Sequence, residues 1–161
     1  MNPKAIEIVN LLGLKELPEE GGYFSKTYQA SEWIELDRGK RAIGDAIYYL
    51  ITEEQFSGLH NLKCAEMWHF YAGDPVEMLI FSEEEFQIKE LGNSDLTVHH
   101  PQQLVKADQW QGAKLKTGGK WALLGTNAFP GYEQSDFMLG KIEMFKHLSA
   151  QHLEVVKRYI K

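Results

Sequence analysis

The chain opens with one helical period and then changes texture. Ile6, Val9 and Leu12 recur at helical spacing, Asn2 can cap the segment, Pro3 suits a first turn and Gly13 can end it. After the turn Leu17-Pro18-Glu19-Glu20-Gly21-Gly22, the apolar residues gather into short β-rich runs. These are expected at Tyr23–Gln29, Ala46–Thr52, Glu66–Ala72 and Val76–Ser82, the last two joined by Gly73-Asp74-Pro75. Phe86 and Ile88 alternate with Gln87 and Lys89 beyond the acidic bend Glu83-Glu84-Glu85, which predicts a hairpin with one wet face.

Leu91–Gln103 reads mostly as loop. Strand texture returns at Leu104–Leu115, Trp121–Phe129 and Phe137–Ile142. Ser149 can cap a last helix whose apolar stripe is Leu153, Val156 and Ile160. Eight to ten short strands between two terminal helices predict a sandwich or barrel, not a βαβ sheet. With no repeat, linker or low-complexity tract, residues 1–161 are expected to form a single domain.

Composition narrows the function. A net charge of −6 without a dense Lys/Arg cluster argues against a nucleic-acid partner. No run of eighteen apolar residues occurs, and Met1-Asn2-Pro3-Lys4 does not read as a signal peptide, so no membrane partner is expected. The single cysteine, Cys64, cannot form an intrachain disulfide and suits a reducing, cytoplasmic location. No base or catalytic context is visible around it.

The densest mixture of polar and apolar residues is Phe56–Gly73. Period-two alternation there places Glu66, Trp68 and Phe70 on one face and Met67, His69 and Tyr71 on the other. A glutamate sharing a face with two aromatic rings must be neutralised, paired or bound to something. Its structural alternative is an ion pair with Lys63 or Arg41. His60 has its own bland reading, a barrel-edge imidazole satisfied by a backbone carbonyl.

The spacing His60-x-Leu62-x3-Glu66-x6-Gly73 resembles the first motif of the cupin superfamily. More of the chain resembles one branch, the small single-domain cupins of unknown function grouped as cupin class five. The matching pieces are Glu20-Gly21-Gly22-Tyr23-Phe24 with Thr27-Tyr28, Ala46-Ile47-Tyr48-Tyr49-Leu50, Phe56-Ser57-x-x-His60, Glu66-x-Trp68-His69-Phe70-x-x-Gly73-Asp74-Pro75 and Leu124-Gly125-x6-Gly131-Tyr132-x3-Asp136-Phe137, in that order. The resemblance implies an all-β double-stranded β-helix, the jelly-roll barrel, with short N-terminal and C-terminal helices. It also implies a pocket in the barrel mouth and a homodimer, and gives Asp136 a role bracing the barrel end.

Two departures weaken the metal site that the superfamily implies. Leu62 stands where the second histidine belongs, and Gln111 stands at the histidine position of the second motif. His60, Glu66 and Gln111 would then hold any metal, two good ligands and one weak one. No cofactor is therefore expected, with a divalent transition metal as the lesser alternative.

Three functions stay open. In a metal-free isomerase or epimerase, His60 braced by Glu66 would be the base and Tyr48 or Tyr28 the acid. In a non-catalytic binding or sensing module, His60, Glu66 and Gln111 would hydrogen-bond a polar metabolite. In a metal-dependent oxygenase or isomerase, the depleted site would do the chemistry. The expected small-molecule contacts are Tyr23, Phe24, Tyr28, Ser57, Trp68, Trp110 and Gln111, with Tyr23, Phe24 and Tyr28 forming a lid or dimer strand.

Overall fold

A computed structural model describes all residues 1–161. In chain order the elements are α1 (Pro3–Leu12), β1 (Lys15–Glu16), β2 (Tyr23–Gln29), β3 (Trp33–Leu36), β4 (Gly39–Ala42), β5 (Asp45–Thr52), β6 (Ser57–Leu62) and β7 (Ala65–Gly73). They continue with β8 (Val76–Phe81), β9 (Phe86–Leu91), β10 (Gln102–Val105), β11 (Trp110–Leu115), β12 (Trp121–Phe129), β13 (Phe137–Leu139) and α2 (Ala150–Lys157).

Six strands form one sheet in the order β1-β2-β5-β12-β7-β10, and five form a second in the order β13-β6-β11-β8-β9. Sequence neighbours are mostly not sheet neighbours, and every strand pair is antiparallel, as in a jelly roll. The main core lies between the sheets. Tyr49, Ile51, Trp68, Phe70, Ala122 and Leu124 from one meet Val76, Met78, Ile80 and Ala113 from the other.

The terminal segments cover the outer faces. Asn2 Oδ1 accepts from the Lys4 amide and Gly13 closes α1 in the left-handed conformation, as the sequence predicts. Ala5 and Ile8 of this helix bury Leu50. Ser149 caps α2, whose Val156 joins Phe145 and Tyr159 over Leu59, Leu79 and Phe81. Burying side chains of this size stabilises by about 1.5–3 kcal/mol each, which fixes the C-terminal segment to the five-stranded sheet.

Three sequence expectations need correction. Leu104–Leu115 is not one strand, because the Lys106–Gln109 turn, with Asp108 at φ +66°, divides β10 from β11. Strand β13 stops at Leu139, and Ile142–Phe145 is a 3-10 turn. The sequence does not predict the hairpin β3–β4, whose residues, Trp33-Ile34-Glu35-Leu36 and Gly39-Lys40-Arg41-Ala42, alternate only weakly. No helix is long and apolar enough to cross a membrane.

Candidate functional site

The polar cluster begins with an irregularity in β6. His60 lies opposite Gln111 and Ser57 opposite Ala113, so three steps on β6 match two on β11. This bulge cancels the alternation that would send Ser57 and His60 to opposite faces. Both side chains instead approach one oxygen of Glu20. The Ser57 hydroxyl donates to Glu20 Oε1 at 2.6 Å, and His60 Nδ1 lies 3.9 Å from the same atom.

Glu20 reaches this position from the double-glycine turn. Gly21 and Gly22 have φ of +99° and +73°, and a Cβ on Gly22 would stand 2.7 Å from the Tyr49 hydroxyl. The Gly21 carbonyl accepts the Tyr49 hydroxyl at 2.6 Å. The turn thus locks onto the floor of the sheet and carries Glu20 to the edge of the interior.

His60 is 1% exposed, and its ring stacks on Phe137 with centroids 5.5 Å apart. Its Nδ1 lies 2.8 Å from the Gly58 carbonyl oxygen. A carbonyl only accepts, so Nδ1 carries the hydrogen and the neutral ring keeps its lone pair on Nε2.

Glu66, 8% exposed, accepts from Gln111 Nε2 at 2.8 Å. Burial raises its pKa above the ordinary carboxylate range; His60 pulls the other way, and Glu20 adds to the rise. The two cations considered for it are engaged elsewhere. Lys63 pairs with Asp108 at 2.6 Å, and Arg41 forks onto Asp136 with two bonds of 2.8 Å.

Gln111 is oriented by Trp68. The indole N–H is donor only and meets Gln111 Oε1 at 2.8 Å, so the amide turns its NH₂ group to Glu66. An NH₂ group offers no lone pair to a cation. The expected metal trio His60, Glu66 and Gln111 is therefore corrected to a pair. No group of three or more His, Cys, Asp or Glu side chains has the spacing to hold a metal ion. The donor set does not fit the transition metal that the superfamily implies.

Several other expected site residues lie elsewhere. Tyr48, the expected acid, is on the outer face of β5, where it packs beside α1 and edge-on to Tyr71 at 6.1 Å. Tyr23 shares that outer cluster, and Tyr28 is 60% exposed. Phe24 does face inward, but as packing against the main core. Trp110 points away from its neighbour Gln111 and meets Phe145 edge-on at 4.8 Å. It lines a cleft of about 930 Å³ together with Phe86 and His152, and neither His60 nor Glu66 lines that cleft.

The structure brings together His60, Glu66, Ser57, Trp68 and Gln111, and adds Glu20, Tyr49, Thr126 and Phe137. Glu20 was legible as part of the Glu20-Gly21-Gly22 motif but reads there as a turn. Tyr49 was masked by Tyr48, since both faces of β5 are apolar or aromatic. Thr126 carries no distinguishing sequence signal.

The family described as "Cupin superfamily (DUF985)" matches residues 6–140. A hypothetical protein from Leishmania major superposes with a TM-score of 0.88 at 24% identity, covering 97% of this chain and 98% of its own. A protein from Shewanella oneidensis gives a TM-score of 0.86 at 26% identity, covering 100% and 98%. Oxalate decarboxylase from Bacillus subtilis shares the fold at a TM-score of 0.57 and 14% identity, over 92% of this chain and 35% of that one. No curated protein matches the chain in sequence.

Proposed function

The chain belongs to the cupin superfamily family DUF985, and from that premise we propose that its barrel interior is a metal-independent site for a small polar metabolite. The observation that carries this reading is the Nδ1 contact of His60 with the Gly58 carbonyl at 2.8 Å. It leaves the Nε2 lone pair free to accept a proton or a hydrogen bond. His60 is then a base of fixed tautomer, with the carboxylates of Glu20 and Glu66 in the same cluster. Proton transfer next to a carbonyl, as in an isomerase or epimerase, needs such a base and no metal.

A panel of aldoses and ketoses incubated with the protein in D₂O tests this directly. Deuterium entering carbon next to the carbonyl of one of them, and lost with His60→Gln, supports the reading. No exchange with any member, despite measurable binding, replaces it with the second reading.

That second reading is a binding module without chemistry. Tyr49 and Tyr132 favour it, because their hydroxyls are already committed to the Gly21 carbonyl and to Gln134. Under this reading His60→Gln weakens ligand binding and has no turnover to remove.

A further inference from the structure

We infer that the interior site admits uncharged or cationic molecules bearing hydroxyl or amine donors and rejects carboxylates and phosphates. This rests on the reading of the same site given above and names its ligand class.

The carboxylates of the cluster are two. Glu66 is buried against Gln111 Nε2 at 2.8 Å, and Glu20 Oε1 lies 3.9 Å from His60 Nδ1. The neighbouring cations are paired outside it. Arg38 and Arg41 both bond Asp136, Lys63 bonds Asp108, and Lys161, packed against Gly21 and Gly58, bonds Gln55 Oε1 at 3.3 Å. His60 alone in the cluster can become positive, and Glu20 offsets that charge.

An entering anion therefore meets repulsion, with no guanidinium or ammonium to replace its water. A donor finds good partners: the Nε2 lone pair of His60 and the carboxylate oxygens of Glu66 and Glu20. Recognition of phosphate or carboxylate ordinarily uses Arg, Lys or a helix N-terminus. Arg38, Arg41, Lys63 and Lys161 each have a partner other than Glu20 and Glu66.

The test follows the His60 side-chain ¹⁵N signals of the full-length protein during titration. The uncharged or cationic probes are D-ribose, D-glucose, glycerol and D-glucosamine. The anionic ones are D-ribose 5-phosphate, D-glucose 6-phosphate, D-gluconate and glycerol 3-phosphate. The expected result is a His60 shift with at least one of the first group and an affinity at least about tenfold weaker for its anionic counterpart. Glu20→Gln, which keeps an acceptor for Ser57, narrows that gap.

An anionic probe that shifts His60 as strongly as its neutral counterpart overturns the inference and leaves the site reading intact. No His60 shift with either group overturns both.

Discussion

The indole N–H of Trp68 lies 2.8 Å from Gln111 Oε1, and that single bond decides which end of the amide faces Glu66. Trp68→Phe removes the donor and frees the amide to rotate, leaving a buried oxygen without its partner. The expected loss of stability is about 1–3 kcal/mol, measured by urea unfolding. Retention of full stability would mean that the orientation of Gln111 is set by something else.

The same orientation predicts the behaviour towards metals. Protein saturated with Mn²⁺ or Zn²⁺ and then desalted is expected to retain well under one ion per chain by elemental mass spectrometry. Gln111→His supplies the missing nitrogen beside His60 and Glu66, and is expected to raise retention of Zn²⁺. One ion per chain in the wild type, lost with Glu66→Gln, would refute the pairwise donor set.

Burial raises the pKa of Glu66, and the sign of its linkage follows. The folded state holds this proton more tightly than the unfolded chain. Stability therefore falls as pH rises from the ordinary glutamate range through the raised folded value. Glu66→Gln removes that slope while keeping an acceptor for Gln111. Chemical denaturation of both proteins across the mildly acidic range gives the comparison. Parallel profiles would mean that Glu66 ionises normally in the folded protein.

Much of the fold was readable because its strands are bounded by strong punctuation. Gly73-Asp74-Pro75, Gly118-Gly119 and the Glu83–Glu85 bend each fall where strands end. The site was half readable. Alternation correctly pairs Glu66 with Trp68, since β7 is regular there and buried on that face. It fails at Ser57, because a bulge has no signature in a strand that is buried throughout. It also fails for Tyr48 against Tyr49 and for Trp110 against Gln111. In those strands both faces are covered, one by the opposite sheet and one by a terminal segment, so polarity does not distinguish inside from outside. Glu20 lies forty residues upstream of His60, and only the tertiary position of the double-glycine turn brings it there.

That turn is itself testable. Gly22 combines a φ of +73° with a Cβ position 2.7 Å from the Tyr49 hydroxyl and 2.9 Å from the Leu50 carbonyl oxygen. Gly22→Ala is expected to cost about 1–3 kcal/mol from backbone strain, with added cost from the contact. It should also displace Glu20, which the His60 ¹⁵N signals report. An unchanged melting temperature would mean that the turn is free to relax.

Cys64 gives the last expectation. Its thiol is buried between β6 and β7 beside Leu62 and Ala128, and burial, with Glu66, Asp136 and Asp45 nearby, pushes its pKa up to about 12. Thiol reactivity follows the thiolate fraction and access, and both are low here. In native buffer near neutral pH an aromatic disulfide reagent should label the chain only as fast as it opens, and stoichiometrically at once in urea. Because the flanking loop carries the backbone bond from the Lys63 amide to the Asp136 carbonyl at 3.1 Å, opening at Cys64 requires loosening the Arg41–Asp136 clamp. Asp136→Asn is thus expected to speed native-state labelling while leaving the rate in urea unchanged. Fast labelling of the wild type in native buffer would show that this end of the barrel opens without breaking the clamp.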